Sequence, residues 1–179
     1  MLREAARGDA AQIADLVNLA YRPGVDAGGW THESGLIAGQ RICVDQVLAL
    51  FDSPGTVVVD DDHGVLRGCV HVEPCVWPHA GPDPACCRIG MLAVMPSQQG
   101  QGGGHTLLAA AEALAAARYG AQGIEMWVLS SRPELLAYYE RRGYRLTGVQ
   151  RPYPVALGVG QPRVDGLCLL GLSKALAPS

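Results

Sequence analysis

Lysine is almost missing from this chain of 179 residues, since only one of its 14 basic residues, Lys174, is a lysine. Phenylalanine occurs once, the formal net charge is −3, and no block of Lys and Arg appears. Nucleic-acid-binding proteins need a basic patch that neutralises phosphates, so this charge balance argues against a nucleic-acid partner. Hydrophobic residues make up 49% of the chain and charged residues 17%, a composition that predicts a folded protein rather than a disordered one.

Long hydrophobic runs are lacking as well. No stretch of about 18 uncharged apolar residues exists, which argues against a membrane span and a membrane partner. The opening MLREAARGDAAQ has no apolar core of a signal peptide, and the six cysteines form no CxxC pair. We therefore expect a cytoplasmic protein with reduced, buried thiols and no metal. The length suits one domain over residues 1–179.

Apolar periodicity and turn residues predict a mixed α/β fold with the order β-α-α-β-β-β-α-β-α-β-β. Asp9 is placed to cap a first helix that ends near Tyr21. DDHG joins strands over 56–60 and 65–73 in a hairpin. The other predicted strands are a first strand at LREA and strands over 88–94, 123–129, 144–149 and 167–172. The other predicted helices lie within 36–51, from the glycine stretch to 119, and over 132–142. Breaks are expected at 22–29 and at the prolines of 74–84.

A glycine-rich segment, QQGQGGG, separates a predicted strand from a predicted helix and puts four glycines into positions 100–104. A helix N-terminus carries unpaired N–H groups and about half a positive charge, so glycines that allow close approach predict an anion site there, most often for phosphate. The segment is no Walker A loop, because it has no Lys. It is no dinucleotide fingerprint, because His105 and Leu107 stand where GxGxxG needs its last glycine. The alternative is a strand–helix turn that binds nothing.

Two motifs resemble one known family. LAVMPSQQGQGGGHTLL resembles the pyrophosphate-binding segment of the GNAT acyl-CoA N-acetyltransferases, whose usual form is LxVxPxxQGxGxGxxLL. AYYERRGYRLTG, over 137–148, is similar to the FYxxxGF element of the same family. Both motifs stand in the family's order, and the resemblance covers most of the chain. It implies an α/β fold with a mixed, mostly antiparallel central sheet, split by a V-shaped cofactor cleft and with helices on both faces.

The resemblance also implies where acetyl-CoA, the cosubstrate, would bind: between the strands at 88–94 and 123–129. The backbone of Leu92 and Val94 would pair with the pantetheine arm, and N–H groups of the glycine segment would hold the pyrophosphate. His105 and Thr106 would add side-chain contacts. The residues implied at the cofactor are Leu92, Ala93, Val94, Gln99, Gly100, Gln101, Gly102, Gly103, Gly104, His105 and Thr106.

Tyr139 occupies the family's general-acid position, which implies that it protonates the departing CoA sulfur. A tyrosine with a pKa of about 10 keeps its proton at pH 7, whereas an amine with a pKa near about 10.4 must lose one before it attacks. The sequence does not identify the general base, because the strand on which relatives often carry Glu reads CCRIGML here. Waters could carry the proton, and the side chains to consider are those of Glu33, His71, Glu73 and Glu125.

The acceptor side is implied to lie at the segments 29–41 and 151–163. Trp30, Glu33 and Glu73 are the substrate residues we expect, and His32, Arg41 and Tyr153 are further polar or aromatic ones. Arg132 stands where many relatives have Asn, either as a CoA contact or as an exposed residue at a helix start.

The expected function is transfer of an acetyl group from acetyl-CoA to a primary amine of a small molecule or peptide, directly and with a tyrosine acid. A covalent route through Cys86 or Cys87 stays open. The alternative is a non-catalytic acyl-CoA-binding or regulatory module, and a nucleotide-phosphate-binding protein is a third, weaker option. Dimers are common in the resembled family, but nothing in the sequence specifies an interface.

Overall fold

The computed structural model describes residues 1–24, 30–76 and 85–177. Parts of the two predicted breaks, residues 25–29 of 22–29 and residues 77–84 of 74–84, are not among the described residues. The described helices are α1 (Ala10–Tyr21), α2 (Val44–Leu50), α3 (Gly103–Tyr119) and α4 (Pro133–Glu140). The described strands are β1 (Leu2–Glu4), β2 (Ile37–Ala38), β3 (Thr56–Asp62), β4 (Val65–Cys75), β5 (Cys86–Val94), β6 (Gly123–Leu129), β7 (Arg145–Pro152), β8 (Gln161–Pro162) and β9 (Cys168–Ala175).

Seven of these strands form one sheet in the order β1-β3-β4-β5-β6-β9-β7. Every neighbouring pair is antiparallel except β5 and β6, which run parallel. That parallel pairing covers only Cys86 to Arg88 against Gly123 to Glu125, so the two strands part over the rest of their length. The expected mostly antiparallel sheet with a V-shaped split is confirmed.

An irregularity in β5 lies at the split. Cys69 of β4 pairs with Ala93, and His71 pairs with Gly90, so Met91 and Leu92 together face a single residue of β4. Met91 has a φ of +53°, a conformation that few non-glycine residues adopt. Such a β-bulge bends its strand and is often found beside functional sites. The bulge comes after the last β5–β6 pair, where β5 is free of β6.

Helices cover both faces of the sheet, as expected. On one face α1 buries Ile13, Leu16 and Val17, and α2 buries Val47, against the sheet residues Val57, Val59 and Leu66. On the other face α3 buries Leu107, Leu108, Ala111 and Ala115 against β4, β5 and β6. Burying each of these leucines fully stabilises the fold by about 1.5–3 kcal/mol. Leu114, on the same helix, is only partly buried.

The predicted capping contact of α1 is wrong, although the helix ends at Tyr21 as predicted. Asp9 occupies the N-cap position, but its side chain makes no capping hydrogen bond. Its carboxylate instead accepts hydrogen bonds from Arg3 at 2.8 Å and from the N–H of Ala6 at 2.7 Å. A charge-assisted pair with a guanidinium is stronger than a neutral hydrogen bond to the helix N–H groups, so Arg3 takes the carboxylate.

Other differences are local. The helix expected within 36–51 is confined to α2, and β2 and β8 form an unpredicted two-stranded ladder. The hairpin turn is His63–Gly64, both with positive φ, and the two aspartates before it belong to β3. Asp61 stays in the ladder because its carboxylate accepts hydrogen bonds from Arg3 and from the N–H of Gly64. No helix among the described residues is long and apolar enough to cross a membrane.

Candidate active site

Two adjoining cavities open at the split in the sheet. The first, of about 320 Å3, lies against the glycine segment and is called the glycine cavity here. The second, of about 520 Å3, lies between the open half of β5, β6 and the start of the loop after β7 and is called the large cavity. They share a wall formed by Tyr21, Leu92, Arg132, Leu135 and Tyr139. Two substrates can therefore meet at this wall from opposite sides.

The glycine segment needs its glycines for two different reasons. Gly100 and Gly102 have φ values of +80° and +91°, a left-handed conformation that glycine adopts without a steric penalty. Gly104 is already in the first turn of α3, and a Cβ built on it would lie 3.1 Å from Tyr138 Oη. A Cβ on Gly103 would make only an ordinary contact, 3.6 Å from a Val94 methyl group.

Backbone N–H groups are concentrated at this turn. Within the described part of the chain, none of the amides from Gly100 to Gly104 has a hydrogen-bond acceptor. The next two, of His105 and Thr106, donate to the carbonyl of Gly102 at 2.9 and 3.1 Å. The unpaired amides lie at the N-terminus of the 17-residue helix α3, where the helix dipole adds positive potential. The turn therefore has the donors and the field to bind a phosphate group.

The edge of β5 that faces the split is braced by two side chains. Gln99 Nε2 donates to the carbonyl of Val94 at 3.2 Å, while its Oε1 accepts from the N–H of Trp30 at 2.6 Å. Tyr21 Oη donates to the carbonyl of Leu92 at 3.2 Å. Because a carbonyl oxygen can accept two hydrogen bonds, both carbonyls keep capacity for an extended ligand along this edge.

Most residues that the family resemblance implied at the cofactor line the glycine cavity: Leu92, Ala93, Val94, Gln99, Gly100, Gly102, Gly104 and His105. Gln101, Gly103 and Thr106 do not line it. Gln101 Nε2 donates to the carbonyl of Ser97, and Thr106 Oγ1 donates back to the carbonyl of Gly102. The Thr106 hydroxyl is thus turned onto its own helix rather than into the cavity.

Tyr139 lies on the wall between the two cavities and is 7% exposed. Burial, the largest cause, raises the pKa of its phenol well above the usual value, so the hydroxyl keeps its proton at neutral pH. The ring packs edge-on against Tyr138 and Tyr144, with centroids 5.2 and 5.7 Å away. No described residue forms a hydrogen bond with Tyr139 Oη. The phenol thus keeps its proton at the meeting point of the two cavities.

The family of the chain follows from its match to a sequence-family model. The model of the acetyltransferase (GNAT) family matches residues 15–144. The chain belongs to the GNAT family. This match includes the glycine segment and residues 137–144 of the tyrosine motif.

Solved structures agree with this fold. A putative acetyltransferase from Salmonella typhimurium, solved with its cofactor acetyl-CoA, superposes with a TM-score of 0.69 at 21% identity, covering 100% of this chain and 95% of that chain. A ribosomal-protein-alanine N-acetyltransferase from Brucella melitensis gives 0.69 at 19% identity, covering 98% and 99%. A spermidine N-acetyltransferase from Vibrio cholerae gives 0.64 at 18% identity, covering 98% and 94%. These similarities show the fold alone. No curated protein sequence matches the chain.

Two cavity residues of this GNAT chain were missed by sequence reasoning. Tyr138, next to Tyr139 in the tyrosine motif, lines the glycine cavity together with Arg142. The Arg142 guanidinium carbon lies 3.5 Å from the centroid of the Tyr138 ring, and Arg142 Nη1 donates to the carbonyl of Tyr138 at 2.8 Å. Their spacing of four residues, one helical turn, is the signal that could have placed them together. Tyr144, in contrast, is 1% exposed and belongs to the core.

The carboxylates considered as bases are all ion-paired. Glu33, 4% exposed, accepts a hydrogen bond from Arg22 Nη2 at 3.0 Å, and it lies 3.8 Å from Arg132 Nη1. Arg88 donates to Glu73 and to Glu125, at 3.2 Å each. Removing an amine proton with any of these carboxylates would require breaking an ion pair.

His71 lines the large cavity and is the remaining side chain considered as a base. Burial, the larger effect, lowers its pKa, which the charge of Glu73 opposes, and the ring is neutral at pH 7. Among the described residues Nε2 has no hydrogen-bond partner. A Cβ on Gly55 would lie 2.4 Å from Nε2, so the ring leans towards the β3 side of β4.

Trp30 and Arg132 differ from expectation in their placement. Trp30 is half exposed and lines the glycine cavity rather than the large one, with its ring centroid 5.8 Å from that of Tyr138. Arg132 is 5% exposed, so the interpretation as an exposed residue at a helix start is wrong. Its Nη2 donates to Thr31 Oγ1 at 2.6 Å, and its side chain lines both cavities.

The cysteines give no support to a covalent route. Neither Cys86 nor Cys87 lines either cavity. Burial raises the pKa of the Cys87 thiol to about 11, which keeps it protonated. Cys86 Sγ lies 3.0 Å from Cys75 Sγ, directly across the β4–β5 ladder. In the ranges 1–24, 30–76 and 85–177, no three His, Cys, Asp or Glu side chains are grouped to hold a metal ion.

Proposed function

We propose that residues 1–179 form a single acyltransferase domain that transfers an acetyl group from acetyl-CoA to a primary amine of a small molecule or peptide. The observation that carries the proposal is the run of amides from Gly100 to Gly104 that lack acceptors among the described residues, at the N-terminus of α3. These donors suit the pyrophosphate of CoA, and the cavity beside them leads to Tyr139.

In this proposal the exposed edge of β5 binds the pantetheine arm as an additional strand. The backbone of Leu92 and Val94 faces the split, where β6 has diverged and leaves the edge unpaired. Arg142, stacked on Tyr138 in the wall of the glycine cavity, adds a positive charge near the phosphates. The thioester then reaches the wall shared by the two cavities, where the amine arrives from the large cavity.

The chemistry follows from which groups hold protons. The neutral amine attacks the thioester carbonyl carbon, a C–N bond forms, and the C–S bond of the tetrahedral intermediate breaks. Tyr139, protonated because it is buried, donates its proton to the departing sulfur. The nitrogen of the tetrahedral intermediate loses its proton through water in the large cavity, where neutral His71 is a described side chain of the wall that can accept it without breaking an ion pair. The Tyr139 phenolate then takes up a proton through water, so that no net proton is gained or lost.

The test is calorimetry on the purified protein with acetyl-CoA, CoA and, as the phosphate control, ADP. Micromolar binding of both CoA species with much weaker ADP binding is expected. An amine panel with a thiol-sensitive dye then measures CoA release. Binding with no release for any amine would favour the non-catalytic CoA-binding module, and no binding at all would overturn both proposals.

A further inference from the structure

The large cavity has an excess of positive charge. Its described lining holds two carboxylates, Glu33 and Glu73, and four guanidinium groups, those of Arg41, Arg88, Arg132 and Arg151. A molecule that enters this cavity therefore meets a net positive field, which attracts anions and repels polycations.

The two carboxylates are already neutralised by arginines. Glu33 pairs with Arg22, which lies behind the cavity wall, and faces Arg132 as well. Glu73 accepts its hydrogen bond from Arg88. An acceptor with a second ammonium group would have to displace one of these guanidinium groups. Leaving a buried guanidinium without its partner is costly, which disfavours polyamine acceptors.

Arg41 and Arg151 are the arginines of this lining without an acidic partner among the described residues. Neither guanidinium forms an ion pair or a side-chain hydrogen bond in the described part of the chain. Each is held over an aromatic ring instead: Arg41 Cζ lies 5.5 Å from the centroid of the Tyr21 ring, and Arg151 Cζ lies 4.0 Å from that of Trp127. A cation–π contact favours a guanidinium position over the ring face while its N–H groups stay available for a carboxylate.

We propose that the acceptor of this acetyltransferase is a small amine that also carries a carboxylate, such as an amino acid, and that Arg41 and Arg151 recognise the carboxylate. The inference rests on the proposed function. Tyr21, under Arg41, is itself part of the wall shared by the two cavities. A carboxylate at Arg41 would therefore lie on the side of the large cavity that adjoins this wall, where Tyr139 lies and the thioester is expected.

The first experiment compares matched amines at saturating acetyl-CoA. The panel holds the common amino acids, the carboxamide and the decarboxylated amine of each, aminoalkyl phosphonates and spermidine, with CoA release as the readout. At equal concentrations of unprotonated amine, kcat/KM is expected to be at least about 10-fold higher for an amino acid than for its two uncharged-end analogues, the loss typical of one charge-assisted contact. If an aminoalkyl phosphonate is the best acceptor, the recognised anion is not a carboxylate, and the carboxylate assignment is overturned.

The second experiment assigns the arginines. Arg41→Gln and Arg151→Gln are each expected to raise KM for the amino acid about 10-fold, with KM for acetyl-CoA and for the decarboxylated amine unchanged. Arg41→Lys should recover part of the loss, because it restores charge without the planar fork. Arg145→Gln is the matched control, since Arg145 is exposed on the same strand as Arg151 and lines neither cavity.

The outcomes separate the two proposals. If acetyl-CoA does not bind in calorimetry, the proposed function falls. If acetyl-CoA binds but neutral amines or spermidine are the best acceptors, only the carboxylate inference falls. Binding of acetyl-CoA with no CoA release across the panel also overturns the inference, because the panel contains the amines it names.

Discussion

Gly104 lies against Tyr138: a Cβ built on the glycine would be 3.1 Å from the phenol oxygen. Since Arg142 stacks on the Tyr138 ring, the ring has little freedom to move away. Gly104→Ala is therefore expected to distort the glycine cavity and weaken acetyl-CoA binding about 10-fold in calorimetry, the equivalent of about 1.4 kcal/mol.

Gly103→Ala is the control for this change, because a Cβ there makes only an ordinary contact with Val94. Alanine is also a better helix former than glycine, so Gly103→Ala should leave affinity unchanged and raise the melting temperature slightly. Tyr138→Phe added to Gly104→Ala should restore part of the affinity. Equal weakening by both alanine variants would show that the contact with Tyr138 is not the cause.

Tyr139→Phe tests the proton donor. Removing the hydroxyl should lower kcat about 100-fold, within the range for general-acid catalysis, with the dissociation constant of acetyl-CoA changed less than about twofold. Stability should hold, since no described residue forms a hydrogen bond with this hydroxyl. Tyr119→Phe, which removes a hydroxyl bonded to Thr56 outside both cavities, should leave kcat unchanged. Full turnover by Tyr139→Phe would refute the acid role.

The burial of His71 predicts a pH dependence of stability. Its pKa is lowered in the folded chain, while a histidine of the unfolded chain titrates near about 6.5. As pH falls through this value, His71 of the unfolded chain binds a proton while His71 of the folded chain stays unprotonated. The free energy of unfolding therefore decreases. The decrease should stop once the pH is below the folded pKa.

Urea denaturation at pH 7.5, 6.5 and 5.5 measures this effect. His71→Gln should reduce the loss of stability between pH 7.5 and 5.5, whereas His63→Gln should not, because the His63 side chain is 99% exposed. Carboxylates with lowered pKa values, such as those of Asp9 and Asp61, lose their contribution only at more acidic pH. An identical pH slope in wild type and His71→Gln would contradict the argument.

Cys75 and Cys86 should be the first pair of thiols to form a disulfide. They lie directly opposite each other in an antiparallel ladder, where Cα separations of about 4.5–5.5 Å suit a disulfide, and their sulfur atoms are 3.0 Å apart. One equivalent of hydrogen peroxide converts the two thiols into a disulfide and two waters. Mass spectrometry of digested protein should find this pair linked while Cys69 and Cys87 stay reduced. A mixture of linkages would contradict the prediction.

The cavity beside the glycine segment could be predicted from sequence because its signal is local. The glycines from Gly100 to Gly104 and the residues Leu92 to Val94 are nearly contiguous, and the turn they form depends on their own backbone conformations. The order of most helices and strands along the chain followed from the same kind of local pattern. The position of Tyr138 in a cavity wall could not be predicted, because an aromatic residue on a short helix has the same sequence pattern whether it packs in the core or lines a cavity.

The large cavity could not be predicted in this way, because its residues come from distant segments. Glu33 was expected to meet an ammonium group, yet tertiary packing pairs it with Arg22, eleven positions earlier. Arg41 and Arg151 are 110 positions apart in the chain and share a cavity only through the sheet order. Neither an ion-pair partner nor a shared cavity wall leaves a spacing that a sequence pattern can show.

The short β5–β6 ladder also has a consequence for how the molecule opens. Four strands lie on one side of this joint and three on the other, and within each group every neighbouring pair is antiparallel. Among the described residues, the backbones of β5 and β6 are joined by the pairs from Cys86–Gly123 to Arg88–Glu125 and by the adjoining hydrogen bond from the N–H of Gln122 to the carbonyl of Ala85. Amides of this joint are thus expected to exchange with deuterium earlier than those of β4 or β9, as the seam between two cooperative folding units.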